Sequence, residues 1–199
     1  MRKKAHCKWA WTGFVLVMGL APLCLGDGLA LVQTIHADFV GSGNCAACHS
    51  SLQDQSGKDV SIDSHWRSTM MANAAKDPLW QAKVSSEVLR APALQSVIEE
   101  KCATCHMPMA RTEAKALGLP VKILGEDGFL NEGHPLHALA MDGVSCALCH
   151  QVADVNLGEQ ASFSGGYTID TSTDSPDRLI YGPFPNPFTN QMINNLGFT

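Results

Sequence analysis

The chain has 199 residues, 45% of them apolar and 17% charged, with a formal net charge of −5. An acidic surface of this kind repels nucleic acid and suits a basic protein partner. The chain contains no Gly-rich phosphate loop and no G-x-S-x-G nucleophile elbow, so nucleotide binding and serine-hydrolase chemistry have no support in it.

The first predicted element is an export segment. Arg2, Lys3, Lys4 and Lys8 form a basic n-region, and residues 9–26 carry no charge and are rich in Val, Leu, Gly and Ala. Ile35-His36-Ala37 offers a small-residue exit before Asp38, and Gly28-Leu29-Ala30 offers a second. Residues 1–37 therefore read as a signal peptide. The apolar run is long for an h-region, so an uncleaved membrane anchor is the competing reading. Either way the bulk of the chain is expected outside the cytoplasm, in the periplasm or beyond. Without residues 1–37, Lys plus Arg falls from 14 to 10 and Asp plus Glu from 19 to 18, a formal net charge of −8. Residues 38–199 are expected to form one domain.

Helices with long connections are predicted next. Asp63 or Ser64 can cap a helix over 65–76. Asp77-Pro78 suits an N-cap followed by Pro at the first helical position, opening a helix over 78–90. Ala91-Pro92 starts a third, running to Lys101. Residues 108–117 form a fourth, stopped by Gly118. A short helix is predicted over 136–141. Beyond Val152, Gly and Pro interrupt the chain often, and 167–169 can pair with 179–181 as a small hairpin. The fold class is thus mainly α with long loops, with a small β-hairpin near the C-terminus.

One short motif occurs three times among these elements: Cys45-Ala-Ala-Cys48-His49, Cys102-Ala-Thr-Cys105-His106 and Cys146-Ala-Leu-Cys149-His150. C-x-x-C-H is the attachment signature of c-type haem. Two thiols one turn apart reach the two vinyl groups, and the next residue becomes the proximal ligand of the iron. Zinc knuckles and disulfides use paired cysteines too, but neither needs a histidine after the second cysteine three times in three. Cys7 and Cys24 lie in the export segment, and the other six of eight cysteines belong to the motifs. The expected cofactor is haem c (heme c), three copies, covalently held.

The second axial position of each iron decides function. After Asp38 three histidines remain outside the motifs, His65, His134 and His137, one for each haem. His134 and His137 would share a face if that stretch were helical. Met107 and Met109 follow His106 too closely to reach the opposite face of its haem. Met70, Met71 and Met141 are expected to pack, as are Trp66, Trp80 and Phe129.

Phe39-Val40-Gly41-Ser42, Cys102-Ala-Thr-Cys-His-Met-Pro-Met109 and Met141-Asp-Gly-Val-Ser-Cys-Ala-Leu-Cys-His-Gln151 resemble segments of bacterial multihaem cytochromes c. That broad group includes the hydroxylamine oxidoreductase and tetrathionate reductase lineages. The resemblance covers roughly residues 39–151, and only the haem motifs within it are specific. It implies a multihaem architecture with His49, His106 and His150 as proximal ligands. The Lys-ligated variant C-x-x-C-K, a marker of catalytic nitrite-reducing haems, does not occur. The stretch 181–189 resembles a connector that leads to a further motif in longer relatives, which implies a truncated chain or part of a larger cytochrome. The expected function is electron relay between redox proteins. The rival expectation is the relay part of a multihaem oxidoreductase acting on nitrogen or sulfur compounds.

Overall fold

The computed structural model describes residues 31–174, 177–187 and 189–196. The basic n-region and apolar run of the export segment lie outside the described residues. The described chain is mainly helical, with one small antiparallel sheet. No described helix is long and apolar enough to cross a membrane.

The described chain opens with an antiparallel turn in which Ile35 bridges Val40. It leads into α1 (Ser42–His49). The predicted helix over 65–76 is shorter than expected: α2 (Ile62–Arg67) ends early, and turns continue to Lys76. Thr69 Oγ1 donates to Trp66 O and accepts from Ala72 N, so a side chain competes for the bonds that helix propagation needs. α3 (Pro78–Arg90) matches expectation, with the Asp77 carboxylate accepting from Leu79 N at 2.9 Å. A 3-10 turn at Pro92–Leu94 precedes α4 (Gln95–His106), which continues through the second C-x-x-C-H motif instead of stopping before it. α5 (Pro108–Ala116) ends beside Gly118, whose φ of +68° favours a residue without a Cβ.

α6 (His137–Met141) is followed by Gly143 at φ +67°, where a Cβ would stand 2.6 Å from Met71 O. α7 (Cys146–His150) then carries the third motif. The sheet pairs β1 (Val152–Ala153) with β2 (Thr168–Ile169). The expected partner of residues 167–169 was 179–181. That segment instead holds His150, with Tyr181 N donating to His150 O at 2.7 Å. α8 (Asn190–Leu196) closes the described chain.

Two apolar clusters organise the packing. The first joins Trp80 and Val84 of α3, Ala103 of α4, and Ala110 and Ala114 of α5 to Phe129 and Leu136. The second joins Phe39, Val40, Met109, Leu139, Ala147 and Leu148. α5 contributes to both, through Ala110 and Ala114 on one side and Met109 on the other. Met107 and Met109 are fully buried, as is Phe129. Met70 and Met71 are not core: they are 73% and 49% exposed.

Candidate functional site

Each motif lies inside a helical turn, which fixes its geometry. In a helix, residues i, i+3 and i+4 share a face. Cys45, Cys48 and His49 therefore point to one side of α1. Cys102, Cys105 and His106 do so on α4, and Cys146, Cys149 and His150 on α7. Burial follows the same division in the second and third motifs. The spacer pairs Ala103-Thr104 and Ala147-Leu148 are buried, while Cys105, Cys149 and His150 are open. In the first motif Cys48 and His49 are exposed. An open groove on the far side of α1 is lined by Ala46 and Ala47, away from that face.

Hydrogen bonds fix the imidazole tautomers. His106 Nδ1 lies 2.8 Å from Ala74 O, and His150 Nδ1 lies 2.6 Å from Tyr181 O. A carbonyl only accepts, so both Nδ1 atoms carry the proton and both Nε2 atoms present a lone pair. This is the bracing that metal-ligating histidines use. His106 is further held by the ring of Trp80. His49 has no such brace among the described residues.

The three other histidines differ from one another. His137 Nδ1 donates to Phe129 O at 2.8 Å, which again frees Nε2. His134 Nδ1 accepts from Leu136 N at 3.0 Å, so its proton sits on Nε2 and no nitrogen is free to ligate. The two do not share a helix face, because His134 lies in the turn before α6. Pro135 between them disfavours helical backbone at residue 134. Burial lowers the His134 pKa. His65 is exposed on α2, which packs against α1. The next residue, Trp66, donates from Nε1 to Val144 O at 2.9 Å, tying α2 to the approach of the third motif.

The first and third motifs are brought together by one carboxylate. Asp142 accepts from Ser42 N at 2.8 Å and from Ser42 Oγ at 2.6 Å, anchoring the start of α1 to the end of α6. The packing of α1 against α7 then sets the Cys45 and Cys146 thiols within electrostatic reach of each other. The Cys45 thiol lowers the Cys146 pKa to about 7, and Cys146 together with burial raises that of Cys45. Tyr167 links the other pair: its hydroxyl donates to Thr104 O at 3.3 Å, within electrostatic reach of Cys105 and Cys149. Burial raises its pKa.

Sequence reasoning missed Asp142, Tyr167 and the carbonyls of Ala74, Phe129 and Tyr181. A polar Asp-Gly just before a motif was the only available signal for Asp142, and backbone carbonyls leave none. Among the described residues no three or more His, Cys, Asp or Glu side chains gather into a metal-holding group. A tetrahedral zinc knuckle would need such a group. The chain matches no protein-family model, no curated protein and no solved structure.

Proposed function

We propose that this chain is an exported multihaem cytochrome c that relays electrons through three covalent haems. The observation that carries the reading is the repeated face: three times, two thiols and a histidine share one side of a helical turn, and the second thiol of each pair is exposed. In two of the three motifs the spacer pair is buried. Cys45, Cys48, Cys102, Cys105, Cys146 and Cys149 hold the haems as thioethers. His49, His106 and His150 supply the proximal nitrogens. Haem contributes a reversible one-electron couple at its iron. The chain holds the imidazoles of His106 and His150 at fixed angles through the carbonyls of Ala74 and Tyr181. The exposed faces of Met70 and Met71 provide apolar surface for a macrocycle to cover. The bonds of Asp142 to Ser42 tie the first attachment point to the approach of the third, and Tyr167 ties the chain after the third to the second, which supports relay between neighbouring haems. The acidic surface favours basic redox proteins as donor and acceptor, and the N-terminal segment allows membrane association. Membership of the multihaem cytochromes that include the hydroxylamine oxidoreductase and tetrathionate reductase lineages belongs to the same proposal.

The tautomer of His134 favours a second reading. His65 and His137 can serve as distal ligands, but His134 as hydrogen-bonded cannot. One iron then keeps an open position, as the relay part of an oxidoreductase acting on nitrogen or sulfur compounds would need. Intact mass and an EPR spectrum of the exported protein test both readings. Three haem masses with only low-spin ferric signals support pure relay. Three haem masses with one high-spin signal support the oxidoreductase. Two haems or fewer, or bound zinc, would sink the cytochrome reading.

A further inference from the structure

We infer that residues 31–37 remain in the mature protein as a structural strap and that the export leader is cut after Ala30, not after Ala37. The inference rests on the proposed export of the chain. The strap runs antiparallel to the segment that enters α1. Gly43 N donates to Val32 O, Gly41 N to Thr34 O and His36 N to Phe39 O, each at 2.8 Å. Asn44 Nδ2 adds a bond to Thr34 O at 3.4 Å. The buried Glu113 carboxylate then accepts from Ala37 N at 3.0 Å and from Asp38 N at 2.9 Å. One side chain of α5 thus grips both sides of the Ala37–Asp38 peptide bond.

The glycines give the stronger argument. Gly41 and Gly43 are absent from the positive-φ residues, so neither is needed for its backbone freedom. What each lacks is space. A Cβ on Gly41 would stand 2.4 Å from Val32 O, and one on Gly43 would stand 2.2 Å from Gln33 Nε2 and 2.8 Å from Val32 O. Both clashes are with the strap. If residues 31–37 were discarded, the atoms nearest to both positions would go with them. Gly28-Leu29-Ala30 is the exit that leaves the strap whole.

Cleavage after Ala37 would instead place a new α-ammonium on Asp38 N, facing Glu113. The two outcomes differ in the first residue of the mature chain. The full gene, expressed with a haem-attachment system and fractionated, should yield an exported protein beginning at Leu31 by N-terminal sequencing and intact mass. A start at Asp38, or an exported chain still beginning at Met1, overturns the inferred cut. Full-length haem-free protein in the cytoplasm would sink the export reading, and the strap is then decided by stability. Two versions behind a heterologous leader, starting at Leu31 and at Asp38, should differ in Tm by roughly 5 °C or more. Gly41→Ala should lower Tm in the version starting at Leu31 and leave the one starting at Asp38 unchanged. Equal Tm values, or the same Gly41→Ala effect in both, would show that the strap is not part of the fold.

Discussion

Trp80 lies flat against His106, with ring centroids 4.3 Å apart and planes 8° from parallel. The stack fixes the imidazole plane and the bond to Ala74 O fixes its rotation, so the packing of α3 on α4 sets the direction of the free nitrogen. Trp80 is buried and its Nε1 has no partner. Trp80→Ala should cost about 3–5 kcal/mol, the usual range for a buried large aromatic. Trp80→Phe should cost clearly less, because the stack survives and an orphaned donor disappears. Denaturant titration of both variants checks this, and equal losses would contradict it.

The tautomers separate His137 from His134. With haem attached, His137→Ala should convert one iron to high spin, and His65→Ala should convert another. His134→Ala should leave the EPR spectrum as it was. Conversion by His134→Ala but not by His137→Ala would mean that the hydrogen bond to Leu136 is broken in the loaded protein.

The packing of α1 on α7, which sets Cys45 and Cys146 within electrostatic reach, predicts a specific cross-link in haem-free protein. Oxidised glutathione should react first with the more easily ionised thiol, releasing one glutathione and leaving a mixed disulfide. The partner cysteine then displaces the second glutathione, and a Cys45–Cys146 bond forms. Peptide mapping should find this link ahead of any pair within one motif. Cys45→Ser should abolish it.

Asp38 and Arg178 form a buried ion pair at 2.8 Å, each side chain 3% exposed. Arg178 also donates to Thr173 O and Asp170 O, so it gathers the tail onto the start of the domain. Arg178→Met alone should cost about 3–5 kcal/mol, since it leaves a buried carboxylate unpaired. Adding Asp38→Leu should restore much of that loss. Thermal unfolding of the two single variants and the double variant gives the coupling directly.

Glu113 makes stability depend on pH in a defined direction. Burial raises its pKa above the ordinary carboxylate value, with the Asp38 charge acting the same way. A raised pKa means that the folded state holds the proton more tightly than the unfolded state. Its contribution is therefore full below the unfolded pKa and is lost as pH rises through the folded one. Measured against Glu113→Gln, the wild-type protein should gain stability as pH falls from 7 towards 4.5. A difference that shrinks over that range would reverse the assignment.

Local signals made much of the fold legible. Asp77-Pro78 marked the start of α3, and Gly118 the end of α5. The three motifs were readable because their chemistry lies within five consecutive residues. Longer-range choices were not readable. The helix expected over 65–76 ends at Arg67, where Thr69 takes up a turn. Residues 179–181 looked like a strand partner for 167–169, but their carbonyl and amide groups engage His150, 31 positions earlier. Equal apolar texture let either pairing satisfy the pattern, and only the assembled chain distinguishes them. The histidine count suggested equivalence among His65, His134 and His137. Hydrogen-bond partners, which composition does not encode, set His134 apart.

The bond from Ser42 to Asp142 spans 100 positions, and this has a consequence for the order of events during biogenesis. On the proposed export route, a chain crossing a membrane from its N-terminus would deliver Cys45 and Cys48 long before Asp142. Until Asp142 arrives, α1 lacks the carboxylate that holds its first turn, and an eight-residue helix does not persist alone. On that route the first pair of thiols would wait on unfolded chain, open to modifying enzymes. By contrast, Cys146 and Cys149 emerge just after Asp142, when closure can begin at once. Vectorial delivery therefore gives the earliest motif the widest window for chemistry and the latest motif the narrowest.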